Sequence, residues 1–345
     1  MRVSLSKSDR SFSVTAGQTV LDAALAARLN LPHSCKGGNC GACRARLLTG
    51  EIAYPNGPPL GLSDAEVKEG WILLCQARAV SNLCIDIVQI STADQVVTKR
   101  LPGRIERAQV LSHDVMAVFL RLPAAESFQF EPGQYIDIIL SGGRRRSFSI
   151  ASPPHAAGLL ELHIRRVAEG EFTGPLFAED AERKLLSIEG PLGQFYYRPS
   201  AAPMVLVGGG TGLAPLKSII RHVLENDSPR IMTLYWGVRS ERDLYAHEEL
   251  IDWSQRTPRF RYHAVLSEPS GRWQGRRGWV HQAVLEDRGR LEGDDIYVCG
   301  PPAMIGAARR EFVAQGADPA RIYVDSFDYA PDTLERQRTR AATKS

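Results

Sequence analysis

Four of the six cysteines are spaced so that they could act together. Cys35, Cys40 and Cys43 follow the pattern C-x4-C-x2-C, and Cys75 lies 32 positions beyond Cys43. Four thiolates hold a bridged iron pair with this spacing, two on one iron from the loop, and one from the loop plus one from a distant strand on the other. The residues between them, Lys36-Gly37-Gly38-Asn39 and Gly41-Ala42, are mostly small. Successive backbone N–H groups can therefore turn toward the sulfurs and stabilise negative charge. A structural zinc is the competing use of grouped thiols, but zinc ribbons repeat a C-x2-C knuckle and only one occurs here. Cys84 competes with Cys75 as fourth ligand, although it sits in an alternating stretch where a buried thiol is the plainer reading.

Further along, Arg144-Arg145-Arg146-Ser147-Phe148-Ser149 brings a guanidinium, an aromatic ring and a hydroxyl to the start of one strand. Such a set can grip a diphosphate, lie on a planar ring and hydrogen-bond its edge; it can equally be a solvated turn. His163-Ile164-Arg165 and Gly170-Glu171-Phe172-Thr173 read similarly, with Gly170 opening a short helix whose N–H groups could face a pyrophosphate. Gly208-Gly209-Gly210-Thr211-Gly212-Leu213-Ala214-Pro215 joins an apolar strand to a striped helix. Its glycines permit close approach of a phosphate, or simply a tight connection. Cys299-Gly300-Pro301-Pro302 ends a later strand, where open α/β sheets bind ligands, and Cys299 also reads as a buried thiol.

Three kinds of scaffold must position these residues. Residues 2–5 and 11–15 read as a hairpin, Thr19 caps a helix over 20–29, and strands are expected at 44–48, 72–75 and 83–88, a compact α+β pattern. After a polar linker at 91–100, short strands at 115–122, 134–140, 146–150, 160–165 and 185–189 indicate an antiparallel sandwich or barrel. Apolar strands at 204–208, 231–237, 260–266 and 296–300 alternate with helices such as 213–224, which implies a parallel sheet covered on both faces. The expected domains are 1–95, 101–200 and 203–330, followed by a disordered tail at 331–345.

With 345 residues, 43% of them hydrophobic, the chain can bury several cores, and its 42 basic against 39 acidic residues leave no concentrated cationic footprint for nucleic acid. No apolar run is long enough to span a bilayer and the start lacks a secretory apolar stretch, so a cytoplasmic protein without membrane partners is expected.

The cysteine segment resembles plant-type ferredoxins. Arg146-Ser147-Phe148-Ser149, the Gly208–Pro215 loop and Cys299-Gly300-Pro301-Pro302 resemble the ferredoxin–NADP reductase superfamily. Their order is similar to that of the NADH-dependent reductase components of bacterial multicomponent oxygenases, and equally to CDP-6-deoxy-hexulose dehydratase reductases. The resemblance implies a β-grasp ferredoxin domain, an antiparallel β-barrel flavin domain and a parallel-sheet nicotinamide dinucleotide-binding domain. It implies a 2Fe-2S cluster on Cys35, Cys40, Cys43 and Cys75, and FAD held by Arg146, Phe148, Ser149, His163, Ile164, Arg165, Gly170 and Thr173. It also implies a nicotinamide site at Gly209, Thr211, Gly212 and Arg239, with Ser149 near the flavin N5, Cys299 beside the nicotinamide and Phe327 covering the isoalloxazine. Phe148 replaces the usual Tyr, and the tail beyond Phe327 is longer than the family's. NADH is the expected donor, with NADPH open because Arg239 could meet a 2′-phosphate. A hydride delivers two electrons and the cluster carries one, so the flavin must stand between them. The implied acceptor is a terminal oxygenase or an intermediary ferredoxin, served by a monomer; the alternatives are a deoxysugar dehydratase and, more remotely, a zinc-bearing nucleotide-binding module without catalysis.

Overall fold

The computed structural model describes residues 1–27, 29, 31–33, 36–38, 41–59, 61–62, 64–87, 98–156, 158–168, 170–178, 180–226 and 228–327. The expected tail at 331–345 lies outside them.

The first unit is a five-stranded sheet, order β2-β1-β7-β3-β5, formed by β1 (Arg2–Leu5), β2 (Ser11–Ser13), β3 (Arg44–Thr49), β5 (Trp71–Leu73) and β7 (Leu83–Asp86). A two-stranded ribbon of β4 (Ile52–Ala53) and β6 (Arg78–Ala79), helix α1 (Val20–Ala26) and the short α2 (Asp64–Lys68) complete it. The Thr19 hydroxyl accepts from the Asp22 N–H at 3.1 Å, as expected of an N-cap, and α1 buries Val20, Leu21, Ala23 and Ala24. The helix ends at Ala26, three residues short of the expected length, with its cap at Ala27.

The second unit is a six-stranded antiparallel sheet, order β11-β10-β13-β8-β9-β12. Its members are β8 (Lys99–Val110), β9 (Val115–Arg121), β10 (Tyr135–Ile139), β11 (Arg145–Ser149), β12 (Leu159–Arg165) and β13 (Leu185–Leu192), with α3 (Thr173–Ala178) before the last. The Ala151 N–H donates to Glu161 O at 2.7 Å and Ile150 bridges Leu162, so the outer strands meet and the sheet closes into a barrel. Sequence patterning missed β8 because Pro102-Gly103 reads as a turn and residues 91–100 as a linker. Lys99 and Arg100 already pair with β13, whereas pairing with β9 starts only at Arg104. Pro102 therefore has a strand on one side alone and its missing N–H breaks no ladder on the other.

The third unit is an all-parallel sheet, order β17-β16-β15-β14-β18-β19. It comprises β14 (Met204–Gly209), β15 (Met232–Val238), β16 (Phe260–Leu266), β17 (Arg276–Arg277), β18 (Asp295–Gly300) and β19 (Ile322–Ser326). Helices α4 (Leu213–Glu225) and α5 (His247–Arg256) cover one face, α6 (Val280–Arg288) and α7 (Pro302–Ala314) the other, each over its own apolar core. The strand order reverses between β14 and β18, which places the ligand crevice beyond their carboxyl ends.

Candidate active site

The β3–β5 ladder brings two of the expected cluster ligands together. Arg44 pairs with Leu73, and the Leu74 N–H donates to Cys43 O at 3.0 Å. Cys43 and Cys75, the residues flanking this ladder, are both buried. Cys35 and Cys40 lie outside the described residues. Lys36 (φ 54°), Gly38 (φ 82°) and Gly41 (φ 73°) are all left-handed, the conformation that takes part in turns gathering N–H groups around an anion. A Cβ at Gly38 would strike the Gln76 side chain at 2.7 Å, and Gln76 Nε2 donates to Lys36 O at 2.9 Å, fastening the loop to the segment after Cys75. Cys84 pairs with Thr49 at the opposite end of β3, roughly 20 Å from Cys43 at ~3.3 Å per residue, which removes it as a fourth ligand. Buried thiols, a cradle without room for Cβ atoms and no second knuckle suit an iron–sulfur cluster. On the barrel, Arg145 chiefly, then Arg100 and least Lys36, hold the Glu189 carboxyl of β13 below its usual range.

On the barrel, β11 pairs with β10 so that Arg146 faces Ile138, Phe148 faces Ile136 and Ser149 faces Tyr135. Arg146 is within 3.8 Å of Glu171, and the rings of Phe148 and Phe172 are 5.5 Å apart, so the Arg146 strand and the Gly170 segment form one surface. The Ser149 side chain lies at the buried end of β11. The Gly170 N–H is already turned to Val167 O at 2.9 Å, and the Thr173 hydroxyl both accepts from the Val167 N–H and donates to its carbonyl. A Cβ at Gly170 would overlap that hydroxyl, so glycine is required where the loop folds on itself. The Gly170 N–H and the Thr173 hydroxyl, both expected to meet a flavin phosphate, are thus engaged with Val167.

The His163-Ile164-Arg165 side chains are committed elsewhere than expected. Ile164 is in the barrel core. His163 bonds Glu161 Oε1 through Nε2 at 2.9 Å and Tyr245 Oη through Nδ1 at 3.1 Å, and Arg165 sits 3.2 Å from Asp114 and against Gly210. Strand alternation turns His163, Glu161 and Arg165 outward, onto the parallel-sheet unit. Lys217 of α4 completes this joint, its Nζ 2.9 Å from Glu161 Oε1 and 3.0 Å from Glu249 Oε2, and the Ser218 hydroxyl donates to Ser152 O at 2.8 Å. Burial drives the His163 pKa down, assisted by the Lys217 charge, so the ring is neutral; its partners then specify Nε2–H donating to Glu161 and Nδ1 accepting from Tyr245. Burial alone would raise the Glu161 carboxyl, but the His163 bond and the Lys217 charge outweigh it and hold it at about 2. The sequence carries a faint sign of this joint: Lys217 and Ser218 interrupt an otherwise apolar stripe in α4.

At the switch point the glycine loop and the end of β18 touch directly. Positions for a Cβ at Gly212 overlap Cys299 O, and one at Gly209 falls 2.7 Å from Met304 Sδ and 3.0 Å from Pro301. Gly210 adopts φ 56° and its carbonyl accepts from Trp236 Nε1 at 2.8 Å, fixing the turn that carries Thr211. Cys299 is fully buried, and burial next to Asp325, whose carboxylate is 4.0 Å from its Sγ, pushes its thiol well up. Phe327 follows β19, its N–H donates to Gly300 O at 3.0 Å, and its side chain packs on the core cluster that includes Cys299. Arg239 is exposed just past β15.

Comparison with known families matches residues 3–80 to the 2Fe-2S iron-sulfur cluster binding domain, 102–197 to the oxidoreductase FAD-binding domain and 206–310 to the oxidoreductase NAD-binding domain. Fold and site together define an iron–sulfur flavoprotein oxidoreductase that uses a nicotinamide dinucleotide. The CDP-6-deoxy-L-threo-D-glycero-4-hexulose-3-dehydrase reductase of Yersinia pestis is 36% identical over 95% of this chain and 98% of its own. The xylene/toluene monooxygenase electron transfer component XylA of Pseudomonas putida is 34% identical over 93% and 91%. Among solved structures, the Amycolatopsis cytochrome P450 reductase GcoB superposes with a TM-score of 0.73 at 35% identity, covering 94% of this chain and 98% of its own. The chain belongs to the family of electron-transfer reductases built from a 2Fe-2S domain, a flavin barrel and a nicotinamide domain.

Proposed function

We propose that this protein takes electrons from NADH and delivers them singly to a separate terminal oxygenase, either directly or through an intermediary ferredoxin. The observation that carries the reading is the joining of three sites in one chain. The nicotinamide loop is tied to the barrel through Arg165 and the Glu161–Lys217 pair, and the cysteine-bearing unit is tied to the nicotinamide unit where Arg309 meets Gly61 and Glu66. Bound FAD supplies the exchange between a two-electron hydride and one-electron transfers to the cluster.

The residues divide the remaining work. Gly209, Thr211 and Gly212 shape the dinucleotide crevice, and Arg239 borders its ribose end. Cys299 presents an uncharged thiol and Phe327 an anchored ring beside the nicotinamide position. Arg146, Phe148 and Ser149 orient the flavin from β11. The thiolates of Cys35, Cys40, Cys43 and Cys75 hold the cluster. The working boundaries are residues 1–95, 101–200 and 203–330, in a monomer acting in the cytoplasm.

A second reading, service to a deoxysugar dehydratase, is favoured by the 36% identity to the Yersinia reductase. Reconstituting NADH-dependent turnover with candidate oxygenases and with a CDP-hexulose dehydrase tests both. Turnover of an oxygenase supports the first reading; turnover with the dehydrase alone would replace it by the second.

A further inference from the structure

Helix α7 touches both the nicotinamide loop and the cysteine loop. Near its start, Met304 packs on Gly209 and Gly300, and five residues later Arg309 reaches the first unit. At 1.5 Å per residue these two points are about 7.5 Å apart along a rigid helix. Arg309 Nη1 donates to Gly61 O at 3.0 Å and Nη2 to Glu66 Oε1 at 2.9 Å. The same Glu66 oxygen accepts from Arg44 Nη1 at 2.9 Å, so one carboxylate is shared by two guanidiniums from different units. All three side chains are largely covered, between 18% and 23% exposed.

The grip extends to the cluster loop itself. The Gly61 N–H donates to Gly38 O at 2.8 Å, which ties the gripped turn to the cysteine segment. A Cβ on Gly41 would meet Arg44 Nη2 at 3.0 Å, Arg309 Nη1 at 3.1 Å and Gly61 O at 3.2 Å. Gly41, two residues before Cys43, is thus seated between the two guanidiniums, and at φ 73° it takes a conformation that favours glycine. Charge-assisted, forked contacts of this kind fix geometry as well as adding energy.

We propose that Arg309 is a positioning residue for internal electron transfer: with Glu66 and Arg44 it locks the cysteine loop onto α7 and so holds the cluster in the pose that receives electrons from the flavin. Arg309 touches neither substrate nor cofactor in this role; it acts through Gly61, Glu66 and Gly41. The inference rests on the electron route proposed above. Because the grip is ionic and incompletely buried, salt weakens it.

The test uses the cofactor-loaded full-length protein and its Arg309→Gln and Arg309→Lys variants. Anaerobic rapid mixing with NADH follows flavin and cluster absorbance separately, and hydrogen exchange is measured on peptides covering 36–44 and 61–70. Losing a charge-assisted hydrogen bond lowers the docked-to-undocked ratio about tenfold, so Arg309→Gln should slow cluster reduction by up to about that factor and raise exchange in both peptides. NADH–ferricyanide activity through the flavin and KM for NADH should stay unchanged. Arg309→Lys, which keeps the charge but not the fork, should fall between, and rising salt should slow the parent protein more than the Gln variant. Unchanged cluster reduction and exchange in Arg309→Gln would overturn the inference while leaving the route standing. A parent protein whose flavin NADH reduces but whose cluster it does not would overturn both.

Discussion

Replacing Lys217 by Met tests the buried joint between barrel and parallel sheet. Lys217 and Glu161 are each only 9% exposed, whereas Glu249 is 40% exposed and contributes little. The Glu161 carboxyl is held at about 2 instead of its ordinary 4.5. That difference corresponds to roughly 3 kcal/mol of stability at neutral pH, in line with the 3–5 kcal/mol typical of breaking a buried pair. Because this pKa is depressed, the contribution is complete above about 4.5 and is lost as pH falls toward about 2. In Lys217→Met the burial that raises Glu161 is opposed by the His163 bond without the Lys217 charge. The carboxyl pKa then rises, the native state takes up a proton on mild acidification, and the variant recovers stability as pH drops. Chemical denaturation followed by flavin release should show a deficit of about 3 kcal/mol at pH 7 that narrows toward pH 5. Adding Glu161→Gln should recover much of the loss, since the orphaned charge disappears. A deficit that is absent at pH 7, or that does not narrow on acidification, would refute the reasoning.

Three further outcomes follow from the switch point. Gly212→Ala places a methyl group into Cys299 O, so NADH-dependent ferricyanide reduction should drop by at least about tenfold, an ångström-scale displacement there costing up to ~100-fold, while cluster absorbance persists. Trp236→Phe removes the bond to Gly210 O and should destabilise the nicotinamide unit by about 1 kcal/mol, measured by denaturation with and without NAD⁺. Cys299, buried with a raised pKa, should resist alkylation at pH 8 in the native protein and react only after unfolding, as mass mapping of labelled peptides would reveal.

The sequence signalled those features that depend on local spacing. The cysteine pattern, the strand–glycine–helix turn at 204–224 and the alternation of the barrel strands all reflect periodicities of a single element, and the corresponding elements formed within a few residues of expectation. What stayed hidden depends on partners distant in the chain. The strand β8 was masked by Pro102, whose tolerance comes from a pairing pattern that no local window contains. The interdomain bonds of this joint depend on His163 meeting Tyr245 and Glu161 meeting Lys217 across two units. Arg309 gave no signal, because its partners Gly61 and Glu66 lie more than two hundred residues away.

The central claim, that one chain converts paired electrons into single ones, is tested most directly by Cys75→Ser under anaerobic NADH. The parent protein should bleach its flavin and then develop the paramagnetic signal of a reduced 2Fe-2S cluster. The variant should bleach the flavin and retain NADH–ferricyanide activity while losing the cluster signal and most cytochrome c reduction. Cytochrome c reduction that persists undiminished in the variant would contradict the account.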